Sequence, residues 1–95
     1  EARGMLPLDI DPKLAWALRH RNRFPLDVAT ASREELLRVP GIGPKGAAAI
    51  VAARRQARLR DIQDLRRLGV LADRAAPYIL IDGRAPARQL ALFAR

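Results

Sequence analysis

The sequence predicts an all-α fold, a small domain of short helices joined by tight turns. Three observations carry that prediction. Alanine supplies 18 of the 95 residues and only four are aromatic, which suits closely approaching helices better than a thick sheet core. Apolar residues recur three and four positions apart in several separate stretches, the period of one helix face. Helix start and stop signals stand between those stretches: Asp-Pro, Ser-x-x-Glu and Gly-Ile-Gly-Pro. A chain of this length hides about 60–65% of its unfolded surface, enough for one modest core.

The first helix is expected over residues 12–21. Asp11 suits the N-cap and Pro12 the first helical position. Leu14, Ala17 and Leu18 share a face. Trp16 lies on another, where packing against the neighbouring core and stacking on a base are both open. Arg19, Arg21 and Arg23 complement the negative helix end. Phe24-Pro25 stops the helix, because a residue before proline is pushed out of the α region. Residues 1–26 therefore read as an N-terminal segment, 27–81 as a helical domain and 82–95 as a flexible tail.

Residues 27–31 read as a turn. Ser32-Arg33-Glu34-Glu35 is a capping box, and Leu36, Leu37 and Val39 form the buried stripe behind it. The most informative run follows: Val39-Pro40-Gly41-Ile42-Gly43-Pro44-Lys45-Gly46-Ala47. Gly41 and Gly43 are expected to take positive φ and let a partner approach closely. Pro44 suits the first position of a helix over residues 44–55. The amides of Lys45, Gly46 and Ala47 then lack intrahelical acceptors at the positive end of the helix dipole, an arrangement that favours phosphate. Ala47, Ile50 and Val51 face the core. Arg54, Arg55, Arg58 and Arg60 crowd the far end, and for the first three flanking phosphates and the helix dipole are equally good explanations.

A second, degenerate copy follows. Aligning Ser32 with Asp61 sets Leu36 on Leu65 and Val39 on Leu68. With Pro40 omitted, Gly41 falls on Gly69, Ile42 on Val70 and Ala47 on Ala75. Leu71 replaces the second glycine, so close phosphate approach is not expected there. Pro77 should stop the last helix near Ala76, with residues 78–81 extended or in a frayed turn.

These residues resemble the helix-hairpin-helix DNA-binding motif: an apolar helix, a Gly-hydrophobic-Gly hairpin, and a second helix with a small residue, here Ala47, near its start. The fold class is accordingly a small helical domain with one well-formed helix-hairpin-helix and a second degenerate copy, arranged like the doubled form of that motif. Beyond the hairpin, Asp11-Pro12-Lys13-Leu14-Ala15-Trp16-Ala17-Leu18, Phe24-Pro25, Ala52-Ala53-Arg54-Arg55 and Leu65-Arg66-Arg67-Leu68-Gly69-Val70 are similar to the C-terminal region of the DNA modification/repair radical SAM proteins. The resemblance covers roughly residues 6–81. It implies that the chain is the DNA-docking fragment of a larger enzyme, whose iron–sulfur cluster and S-adenosylmethionine belong to an upstream part. The opening at Glu1 without methionine fits that expectation. Competence-type DNA-binding domains are also similar around Thr30-Ala31-Ser32 and the hairpin, but they usually place asparagine where Ala29 stands.

The resemblance implies a DNA site at Gly41, Ile42, Gly43, Pro44, Lys45 and Gly46, with Arg54 and Arg55 beside it. It also implies that the carbonyls of Leu37, Val39 and Ile42 hold a monovalent cation, K+ or Na+. No cofactor is expected in the fragment itself. The net charge of +8, carried by 16 arginines and two lysines, fits an anionic partner.

Other chemistries find little support. There is no cysteine for a disulfide or thiolate site, and no metal-ligand spacing, P-loop or serine–histidine pairing. His20 is the only histidine and sits among arginines at a helix end. Asp9 lies beside Asp11, a cap, and Asp61 and Asp64 suit a first helical turn. Asp82, the candidate by analogy with helix-hairpin-helix glycosylases, has no pocket-building sequence after it. No apolar run approaches the roughly 20 residues of a membrane span, and no signal peptide is visible. The expected setting is cytoplasmic and nucleoid-associated, with a monomeric chain. The competing function is protein docking. Gln89-Leu90-Ala91-Leu92-Phe93 is similar to the peptide by which bacterial repair proteins bind the sliding clamp, with alanine departing at the third position; Gln89, Leu90, Leu92 and Phe93 would make the contacts.

Overall fold

The computed structural model describes residues 11–86. Helix α1 spans Pro12–Arg19, with the Asp11 carboxylate accepting from the Lys13 amide at 3.0 Å. It gives way at His20 to a single 3₁₀ turn, Arg21–Arg23, followed by a cis Phe24–Pro25 peptide. Strand β1, Leu26–Asp27, comes next. Helix α2 covers Arg33–Leu37, with both halves of the Ser32–Glu35 capping box formed. Helix α3, Pro44–Gln56, is the longest. Asp61 caps α4, Ile62–Arg67, by accepting from the amides of Gln63 and Asp64. Helix α5 is one turn, Ala72–Ala75, and continues as a 3₁₀ turn over Ala76–Tyr78. Pro77 thus ends the α-helical geometry one residue before the expected stop.

Strand β2, Ile79–Leu80, pairs in parallel with β1, Leu26 opposite Ile79 and Asp27 opposite Leu80. Two-residue strands leave no period-two signal to read, so the sequence offered a turn at residues 27–31 and an extended or frayed segment at 78–81, and not their pairing. The pairing places the boundary expected between residues 26 and 27 inside a strand. Asp27 extends the connection: its carboxylate accepts from the amides of Ala29 at 2.9 Å, Asp82 at 3.2 Å and Gly83 at 2.7 Å. Ile81 and Arg84 form a bridge around that turn. The segment expected as a flexible tail therefore begins, over residues 82–84, as a hydrogen-bonded turn.

The core sits between the two hairpins. Leu36, Val39, Ile42, Ala47 and Ile50 from the first copy and Leu65 and Ala75 from the second are fully buried. The repeat read in the sequence has a geometric counterpart, since Gly41 and Gly69 share φ near +92° and +91°. Ile42 and Val70 after them are both buried, as are Ala47 and Ala75.

Helix α1 joins this core through aromatic contacts. Trp16 stacks on His20 with centroids 4.0 Å apart and meets Phe24 edge-on at 6.0 Å, while Phe24 meets Tyr78 at 5.5 Å. The Arg38 guanidinium, at the end of α2, lies over the indole at 4.9 Å. Of the two readings of Trp16, packing is the one its neighbours support. His20 is half-buried and takes part in the same stack, with Nδ1 2.8 Å from the Trp16 carbonyl.

Candidate nucleic-acid interface

The hairpin between α2 and α3 forms because successive amides fold back on α2. The Arg38 amide donates to Glu35 at 3.0 Å, Val39 to Leu36 at 3.1 Å and Ile42 to Val39 at 3.1 Å. Positive φ at Gly41 closes the turn and buries the Ile42 side chain. The chain then runs extended through Gly43, the N-cap of α3, at φ −96° and ψ −174°.

The two glycines have different duties, which corrects the expectation that both take positive φ. Gly41 is required by the protein's own packing. A Cβ there would stand 2.6 Å from the Leu71 carbonyl oxygen and 3.1 Å from the Ala75 nitrogen. Gly43 has an ordinary φ, and a Cβ built on it would meet nothing within 4 Å. Gly46 faces inward, where a Cβ would approach Val70 at 3.3 Å.

Pro44 and Lys45 are exposed at the tip. No side chain caps α3. The Ala47 amide is satisfied by the Gly43 carbonyl at 2.8 Å, whereas the amides of Gly43, Lys45 and Gly46 donate to no atom of the described residues. Exposed Lys45 and these unsatisfied donors stand together at the positive end of a thirteen-residue helix, an arrangement whose chemistry suits an anion. The equivalent of Lys45 in the second copy is Asp73, whose carboxylate accepts from Arg66 at 2.6 Å. That acid, together with exposed Leu71, makes the second hairpin unsuited to phosphate.

The flanking arginines divide. Arg55 is exposed at the end of α3. Arg54 is turned inward: its Nη1 donates to the Val28 carbonyl at 3.0 Å and to Ala31 at 2.7 Å, bracing the loop before α2. Arg54 thus braces the scaffold, where the reading of the sequence set it beside the DNA site. Arg58 pairs with Asp82 at 3.5 Å on the surface.

The carbonyls implied to hold a monovalent cation do not fit one. The Lys13 ammonium, reaching across from α1, donates to the Ile42 carbonyl. The Val39 carbonyl accepts from the Ile42 amide. A metal ion placed among these oxygens would face the ammonium already there. Burial holds the Lys13 ammonium below the usual lysine range; the Asp11 carboxylate opposes that shift and Arg74 adds to it. Asp11 also pairs with Arg74, so the start of α1 is tied to both hairpins.

The reach of Lys13 to the hairpin went unrecognised in the sequence, although a signal was present. A lysine in the first turn of a helix opposes the dipole, and such a placement asks for another reason. Gln89, Leu90, Leu92 and Phe93, proposed for clamp docking, lie outside the described residues. Among the described residues, no helix is long and apolar enough to cross a membrane, and no three His, Cys, Asp or Glu side chains gather as a metal site.

A family model described as a SAM-like helix-hairpin-helix tandem matches residues 9–56, a little over half of the chain and the part that holds α1, α2, the hairpin and α3. No curated protein and no solved structure matches the chain.

Proposed function

The chain belongs to the SAM-like helix-hairpin-helix tandem family, and from that premise we propose that it docks on the phosphate backbone of DNA without reading the bases. One observation carries the reading: the uncapped start of α3, with the donors of Gly43, Lys45 and Gly46 unsatisfied and open space in front of Gly43. A phosphate oxygen takes such amides as acceptor, and Lys45 adds a charge-assisted contact. Ile42 anchors the tip from inside the core, and Arg55 extends the contact along the backbone. None of these groups is arranged to read a base edge, so affinity should be nearly independent of sequence.

The second hairpin, with Asp73 at the lysine position, serves as the packing partner that holds the first in shape. A single hairpin reaching about 3 phosphates gives a salt slope near −2.7 and a Kd on the order of 10–100 μM. Such weak docking suits a module whose parent protein supplies the chemistry. In keeping with the resemblance of residues 6–81, that parent is a DNA repair or modification radical SAM enzyme, acting in the cytoplasm on the nucleoid. The direct test is titration of short duplexes of several sequences with the protein over a range of salt. A steep preference for one sequence defeats the proposal.

A further inference from the structure

The chain has 16 arginines and only two lysines, and both lysines occupy the same kind of place. Asp11-Pro12-Lys13 opens α1 and Gly43-Pro44-Lys45 opens α3, each with proline first and lysine second in the helix. Both placements oppose the helix dipole. Lys13 reaches the Ile42 carbonyl, and Lys45 stands three residues beyond it in the chain.

We infer that this hairpin carries its own cation: the Lys13 ammonium takes the place at the Ile42 carbonyl that a monovalent metal ion would occupy, and it serves DNA binding there. An ammonium is a compact point charge with three donors, suited to sit on a carbonyl oxygen as an alkali ion does. One donor is used on Ile42, and the others meet no acceptor among the described residues, which leaves them for a phosphate oxygen.

The contact has a second effect. A trans peptide holds its C=O and N–H in one plane and pointing oppositely. By gripping the Ile42 oxygen, Lys13 fixes that plane and so aims the Gly43 amide away from α1. Asp11, capping the Lys13 amide and paired with Arg74, holds the helix start in position for this reach.

The inference rests on the proposed DNA reading for its purpose but not for its geometry, and the experiment separates the two. In the 95-residue protein, the Ile42 carbonyl ¹³C shift should stay constant when KCl replaces tetramethylammonium chloride at fixed ionic strength. It should move in Lys13→Met. A shift of the wild-type carbonyl with K+ overturns the inference whether or not DNA binds.

Duplex affinity of the wild type should likewise be equal in K+, Na+ and tetramethylammonium. Lys13→Met should weaken it by about fivefold, lower the salt slope by about one, and make K+ restore part of the loss. Unchanged affinity in Lys13→Met overturns the phosphate role. If the wild type binds no DNA while its Ile42 carbonyl ignores K+, the DNA reading falls and the built-in cation stands.

Discussion

The Leu71 amide donates to the Gly41 carbonyl at 2.9 Å, so the turn of the first hairpin is hydrogen-bonded to the turn of the second. The two copies meet where each reverses direction, and the meeting leaves no room for a side chain on Gly41. Gly41→Ala combines a positive φ with a 2.6 Å approach to backbone. It should destabilise the fold by at least about 2 kcal/mol, lowering Tm by roughly 10 °C or more. Gly43→Ala, at ordinary φ with open space around it, should stay within about 1 kcal/mol of wild type while weakening DNA binding. Calorimetry beside a binding titration separates the two glycines. Equal stability losses would mean that their duties are not divided as the geometry has it.

Lys45 is exposed and meets no described partner, so its charge is available to a ligand without serving the fold. Lys45→Glu should leave the circular dichroism spectrum and Tm unchanged and weaken duplex binding at least about tenfold, because it replaces a phosphate partner with a like charge. Lys45→Ala should reduce the salt slope by about one. Retention of wild-type affinity in Lys45→Glu would remove the tip of α3 from the interface.

The features most legible in the sequence were local ones. The Ser32–Glu35 capping box, the Pro44 helix start and the positive φ at Gly41 each follow from a few neighbouring residues, and the repeat located Gly69 by analogy. Contacts made at a distance left no such trace. Asp27 gathers amides 55 and 56 residues away, and Lys13 reaches Ile42 across 29. Gly43 was misread because glycine permits positive φ without requiring it, and only the built turn shows where the left-handed residue falls. Arg54 and Arg55 are adjacent on one helix with the same side chain, so nothing but the neighbouring loop decides which of them turns inward.

That decision can be measured. Arg54 donates to the Val28 and Ala31 carbonyls, and Arg54→Ala leaves both without this partner. The substitution should cost about 2 kcal/mol, or roughly 10 °C in Tm. Arg55→Ala should change stability by less than about 0.5 kcal/mol and act on DNA affinity alone. Arg54→Lys, which keeps the charge and spare donors but has a shorter reach, should recover only part of the loss. A fully stable Arg54→Ala with reduced DNA affinity would restore Arg54 to the interface.

Acid should loosen the helix starts. The Glu35 carboxyl titrates below its ordinary 4.5 chiefly because it accepts from the Ser32 amide, with the Ser32 hydroxyl, Arg23 and Arg38 adding to the effect against partial burial. Asp64 titrates below its ordinary 3.8 chiefly through the Arg60 amide, assisted by the Asp61 amide and Arg67. A carboxylate with a depressed folded pKa contributes stability that is fully present above its unfolded pKa and is lost as pH falls through the folded one. Urea midpoints should therefore be level down to about pH 5, then decline below the ordinary values of 4.5 for Glu35 and 3.8 for Asp64, where the unfolded chain takes up protons first, until the folded carboxyls protonate at their lower pKa values. In the Glu35→Gln, Asp64→Asn double variant both side chains keep an acceptor oxygen but no longer titrate, so the decline should be shallower. If the double variant follows the wild-type curve through this range, the acid sensitivity arises elsewhere and the two caps do not govern it.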